Sequence, residues 1–166
     1  MKTKRITELG LLLAVSLVLA YLESLLPVMV AVPGVKLGLA NIVTMLVLYR
    51  NGEKQAFFFM TVRVVLAGFL FSGAAGIIYS FAGGVCCIMV MCAVKRFPFF
   101  SILGVSMAGA VSHNFGQLLV AFFVMENAHI LYYFPVLCIS GGITGLVTGY
   151  ISALLIRQMN KIFPKN

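Results

Sequence analysis

The chain contains no aspartate and no tryptophan, and its carboxylates are four glutamates: Glu8, Glu23, Glu53 and Glu126. Mg²⁺-dependent chemistry on diphosphates or nucleotides generally needs carboxylates to hold the metal. Catalysis of that kind is therefore not expected from these 166 residues. The four cysteines, Cys86, Cys87, Cys92 and Cys138, show no CxxC spacing, and His113 and His129 are the only histidines. No metal site is expected from such a set. A phosphate-binding GxxxxGK[ST] loop is also missing, so any ATP-driven role has to borrow a partner's ATPase. Charge of either sign is scarce, at 10% of residues where a soluble domain has about a quarter.

What is abundant is apolar surface. The composition is 62% hydrophobic with a mean hydropathy of +1.10, which reads as an integral membrane protein. The net charge of +8 raises the question of nucleic acid. The cations, however, lie beside apolar stretches, where they serve topology and contact with anionic lipid headgroups. Nucleic acid is not an expected partner.

Ten of the twelve Lys and Arg residues fall into four clusters at alternate ends of long apolar stretches. These are Lys2, Lys4 and Arg5; Arg50 and Lys54; Lys95 and Arg96; and Arg157, Lys161 and Lys165. Cytoplasmic loops accumulate Lys and Arg, so the pattern predicts six spans with both termini inside. The first span is expected from Ile6 to Leu26, uncleaved despite a signal-peptide-like start, because only Glu23 interrupts the run. An apolar loop, Pro27 to Lys36, is expected to fold back over the protein. The second span, Leu37 to Tyr49, reaches only about 20 Å against a hydrocarbon core of about 30 Å. A short helix beside an apolar loop suggests a cavity at the outer side. The remaining spans are expected at Gln55–Phe71, Ile77–Val94, Phe99–Met125 and Ile130–Met159. A small-residue link at Ser72–Gly76 joins the third to the fourth. The whole chain, residues 1–166, reads as a single transmembrane domain, an all-α six-helix bundle.

Two cations stand outside the clusters. Arg63 falls in mid-span, where insertion costs at least about 2.5–3.5 kcal/mol unless the charge is paired or hydrated. It either snorkels towards the cytoplasm or meets an anionic ligand. Lys36 and Asn41 bracket the start of the second span in PGVKLGLAN, where a pocket could close, though an outer-loop lysine is as readily solvated. In the fifth span, His113, Asn114 and Gln117 share one helix face, with Ser106 and Gly109 extending it inward. Such a face turns into the bundle, for helix–helix hydrogen bonding or for a ligand. Glu126 and His129 read as ordinary solvated loop residues.

Small residues recur at four-residue spacing: Gly10 and Ala14, then Ser16 and Ala20, in the first span, and Gly141, Gly145, Gly149 and Ala153 in the sixth. They permit close backbone approach. The sixth-span ridge is most simply intramolecular, and the first-span ridge faces either the bundle or a partner.

At PGVKLGLANIVTMLVLY, and again at SHNFGQL, the chain resembles the bacterial heptaprenyl diphosphate synthase component I family, also called the Gx transporter family. That family is similar to the substrate-binding S components of energy-coupling factor (ECF) transporters. The resemblance implies a six-helix protein with both termini inside, in the bacterial cytoplasmic membrane. It also implies a substrate site beneath the first loop, and partners comprising a transmembrane T component and cytoplasmic ATPases that use ATP. A small-residue ridge on the first helix, here Gly10 and Ala14, would dock on the T component.

The leading expectation is thus a non-enzymatic substrate-binding subunit taking up a small anionic molecule, such as an isoprenoid or quinone precursor. Lys36, Asn41, Arg63, His113, Asn114 and Gln117 are its candidate binding residues, with no cofactor in the chain itself. The alternative is a non-catalytic membrane accessory of heptaprenyl diphosphate synthesis, and a third reading is a stand-alone channel or scavenging carrier.

Overall fold

The computed structural model describes residues 2–25 and 38–162, all of them helical apart from short connections. Six α-helices follow one another: α1 (Lys2–Leu25), α2 (Leu39–Arg50), α3 (Glu53–Ala67), α4 (Gly73–Lys95), α5 (Ile102–Met125) and α6 (Phe134–Ile162). A π-helical turn, Gly68–Ser72, continues α3 directly into α4, and a 3₁₀ segment, Ala128–Tyr133, leads into α6. Continuous helix is what lipid demands, because backbone groups find no water there and must be satisfied within the segment.

The expected six-span, N-in/C-in bundle is corrected by this arrangement. The described residues form five continuous helical runs, four of which are long and apolar enough to cross a membrane. These are Ile6–Leu25, Glu53–Lys95, Ile102–Met125 and Ala128–Lys161. Two expectations failed. The expected third and fourth spans are not separated by a loop at Ser72–Gly76: they count as one helical run, Glu53–Lys95, of 43 residues. The expected second span is only 12 residues, about 18 Å at 1.5 Å per residue. It is a buried core helix instead, with Ile42 through Leu48 all buried and Val47 and Leu48 at 0% exposure. The orientation argument that counted six crossings falls with the count.

The long run bends sharply at Gly73, whose φ of +70° is a left-handed value that suits glycine. A side chain at Gly68 would collide with Ile77 of α4, so the two limbs meet closely there. At the opposite end, Arg96 donates from Nη2 to Glu53 Oε2 at 3.4 Å. The run thus doubles back until its ends touch. Next to that contact, Lys95 Nζ donates to the Leu48 carbonyl at 2.9 Å and lies 4.7 Å from the centre of the Tyr49 ring. This satisfies one of the carbonyls that every helix C-terminus leaves open. Arg50 Nε donates to Glu8 Oε1 at 3.0 Å, tying the same end of α2 to α1.

Glycine sets the spacing of the other half. Gly116 lies so close to Ala82 that a Cβ would stand 2.7 Å from its carbonyl oxygen. Gly145 and Gly149 bring α6 onto the backbone of α5 at Met107 and Leu103. The expected intramolecular role of the Gly141–Gly145–Gly149 ridge is what the structure contains. In contrast, α1 is peripheral: Ser16 is its buried residue among the described side chains.

The Glu53–Arg96 contact has a topological consequence. With Lys54→Cys and Phe97→Cys introduced singly, a membrane-impermeant maleimide should label both from the same side of the membrane. Labelling from opposite sides would mean that the Glu53–Lys95 run crosses straight through.

Candidate ligand-binding site

Between the helices lies a cavity of about 240 Å³ to which α1 through α6 all contribute. Its polar lining includes Glu23, Asn41, Arg63, Ser106, His113 and Asn114. Four of the six expected binding residues are therefore brought together: Asn41, Arg63, His113 and Asn114. Gln117 is not among the lining residues, and Lys36, with the apolar loop Pro27–Lys36, lies outside the described residues.

Arg63 is the centre of the arrangement. It is only 6% exposed, and its Nη2 donates to Asn41 Oδ1 at 3.2 Å. The side chain is held inside the bundle, facing the cavity, which is not a snorkelling posture. One hydrogen bond from a charged group is worth about 1.5–3 kcal/mol. That offsets the insertion cost of about 2.5–3.5 kcal/mol only in part, and a guanidinium has five N–H donors to satisfy.

Local sequence explains how Asn41 comes to meet it. Gly38, at the mouth of α2, has φ 72° and ψ 26°, the left-handed conformation. Its carbonyl accepts from the Asn41 N–H at 2.9 Å, starting the helix. Its own N–H donates to Glu23 Oε1 at 2.6 Å, which fastens the end of α1 to the start of α2. Glu23, Gly38, Asn41 and Arg63 thus form one chain of contacts across three helices. The LGLAN segment supplies both the turn and the amide.

On the α5 side the polar groups are more heavily used in packing. Asn114 Nδ2 donates to the Leu137 carbonyl of α6 at 3.0 Å, and a Cβ on Gly141 would fall 2.8 Å from that nitrogen. Ser106 and Thr148 share a hydrogen bond at 3.2 Å across the same pair of helices. His113 reaches the cavity past Gly83, where a Cβ would stand 3.0 Å from its Cε1. Gln117 packs against Gly83 as well, and its buried Oε1 has no hydrogen-bond partner among the described residues. Gln117 is thus packed without an interhelical hydrogen bond through Oε1, whereas Asn114 both makes one through Nδ2 and lines the cavity.

A family model described as heptaprenyl diphosphate synthase component I matches residues 12–155 of the chain. The chain belongs to that family. No curated protein and no solved structure matches it.

Two features of this family member were not expected from its sequence. Glu23, which entered the sequence reading only as an interruption of the first span, lines the same cavity as Arg63. A carboxylate interrupting an otherwise apolar run was the available signal. Thr144 and Thr148 of α6 also line the cavity, and their hydroxyls donate to carbonyls one turn earlier, which hid them among ordinary helix residues. The candidate interface residues Gly10 and Ala14 are exposed on α1, and a Cβ on Gly10 would meet nothing within 4 Å.

The turn that carries Asn41 gives a stability prediction. Gly38→Ala should destabilise the protein by about 1–2 kcal/mol, the cost of a side chain in left-handed backbone. Gly142→Ala, a helical position with nothing within 4 Å of a new Cβ, should stabilise slightly. Thermal unfolding in detergent reads both, and equal melting temperatures for Gly38→Ala and wild type would contradict the turn geometry.

Proposed function

We propose that the chain is a non-catalytic, ligand-binding subunit of the bacterial cytoplasmic membrane that serves heptaprenyl diphosphate synthesis. The carrying observation is Arg63, buried to 6% exposure and facing a cavity of about 240 Å³ with one neutral partner. Its remaining donors suit an anionic group, carboxylate or phosphate, that accepts in the plane of the guanidinium. The family match supports the setting, and the absence of aspartate in the sequence supports leaving the Mg²⁺-dependent condensation to a soluble partner. A cavity of this size is small beside the roughly 300–1,000 Å³ of drug-sized sites. It suits a charged head with a short apolar portion, such as an isoprenoid or quinone precursor, rather than a full heptaprenyl chain. Met45, Val64 and Met91 supply apolar wall for such a portion.

A second reading is supported by one specific observation: the exposed Gly10–Ala14 ridge of α1. Close helix contact needs such a surface. In that reading the chain is the substrate-binding subunit of an ECF transporter, docked through α1 on a T component, with ATP used by cytoplasmic ATPases. Affinity capture from native membranes separates the two. A prenyl diphosphate synthase in the eluate supports the first, and T component with ATPases supports the second. Ala14→Leu should abolish capture of a T component while leaving the melting temperature unchanged, because no packed neighbour is disturbed.

Both readings share the Arg63 site. Mass spectrometry of protein purified without added ligand should detect a retained small molecule bearing an anionic group. Arg63→Lys, which keeps the charge but loses the planar fork, should weaken its binding by roughly tenfold or more. Unchanged occupancy in Arg63→Lys would remove Arg63 from the ligand site.

A further inference from the structure

The Arg63 cavity contains a second charge, of opposite sign. Glu23 lines it from the end of α1, while Arg63 lines it from α3. The two are not ion-paired: the salt bridges among the described residues are Glu8–Arg50 and Glu53–Arg96. Each is held instead by a neutral partner on the same turn. Glu23 Oε1 accepts from the Gly38 N–H at 2.6 Å, and Arg63 donates to Asn41 Oδ1 at 3.2 Å. The Gly38–Asn41 turn thus holds both side chains through neutral groups, and carboxylate and guanidinium line the same cavity without pairing.

Opposite charges inside a bundle gain more from direct pairing than from neutral partners. Held apart, they present a gap with one positive and one negative wall. A purely anionic ligand gains at Arg63 but meets repulsion from Glu23, an arrangement that selects against it. We infer that the ligand of this site has two poles: an anionic group that meets Arg63 and Asn41, and a cationic centre that meets Glu23. The inference rests on the reading that Arg63 receives an anionic group, and adds the second pole. The cationic centre is either an ammonium on a small organic acid or a divalent cation chelated by a diphosphate. In both cases Glu23 Oε2 is the acceptor or ligand atom left over, since Oε1 already serves Gly38.

The two sources are distinguished by thermal-shift titration of the full chain in detergent. One arm compares ω-aminocarboxylates of increasing length with matched carboxylates and alkylammoniums; the length series samples the distance between the poles. The other arm compares inorganic diphosphate with and without Mg²⁺. The inference expects a two-pole probe to bind at least about tenfold more tightly than its one-pole counterparts. Glu23→Gln should erase that advantage by tightening the one-pole carboxylate or metal-free diphosphate and weakening the two-pole probe, because the carboxylate charge is lost while Gln still accepts from Gly38. Arg63→Gln should weaken every anionic probe. Arg63-dependent binding of carboxylate or diphosphate with no gain from the cationic pole overturns the two-pole inference and leaves the anion reading standing. Indifference of every probe to Arg63→Gln, or no shift from any probe, overturns both.

Discussion

A guanidinium buried among apolar helices is the constraint around which this protein is arranged. In lipid there is no water to hydrate Arg63, so the fold has to supply polar neighbours at membrane depth. It does so with a single short segment. Gly38 turns left-handed, Asn41 follows in the first turn of α2, and its side chain reaches Arg63 at 3.2 Å. Glu23 closes the other end of the same segment through the Gly38 N–H. Three helices are joined by these contacts, and none of the groups involved is fully satisfied by them. The polar cavity exists because the shortfall is left facing inward.

The short length of α2 follows from the same constraint. A helix of 12 residues cannot span the hydrocarbon, and α2 has no lipid face to present: its middle is buried throughout. It is enclosed by α1, α3 and α6, which bring it 0% exposure at Val47 and Leu48. Its C-terminus is held by Lys95 on the Leu48 carbonyl and by the Glu8–Arg50 pair. With that end fastened, its N-terminus, carrying Asn41, stops inside the protein. A full-length helix would carry the amide past the depth of Arg63 and close the space that the cavity occupies.

Much of this was legible in the residues, and the failures have definite causes. Arg63 and Asn41 stood out because charge and amide groups are costly in an apolar run, and the structure joins them. The glycine ridge of α6 was legible because four-residue spacing at small residues has one simple geometric meaning in lipid. The span count was not. It treated Ser72–Gly76 as a break on composition alone, whereas a single positive φ at Gly73 bends a run that stays helical on both sides. Glu23 was missed because position along one helix does not show what its side chain faces. Whether a residue meets a cavity depends on the neighbouring helices, and the contact that places Glu23 is with a backbone N–H fifteen residues away. Gln117 failed for a similar reason. Sharing a helix face with His113 says only that both turn inward: both pack against Gly83 of α4, and only His113 also lines the cavity.

The two halves of the bundle differ in how they are held together, and that difference bears on binding. Between α4, α5 and α6 the backbones approach through Gly83, Gly116, Gly145 and Gly149, with hydroxyl and amide hydrogen bonds across the gap. Lipid tails offer no hydrophobic drive for helix association, so this close packing is what such an assembly has to rely on. On the other side, α1 buries little, and its end is fastened to the cavity through Glu23 and Gly38. Glu23 Oε2, the atom assigned to a ligand, thus sits beside the bond that fixes α1 to α2, while His113 and Asn114 belong to the glycine-packed wall.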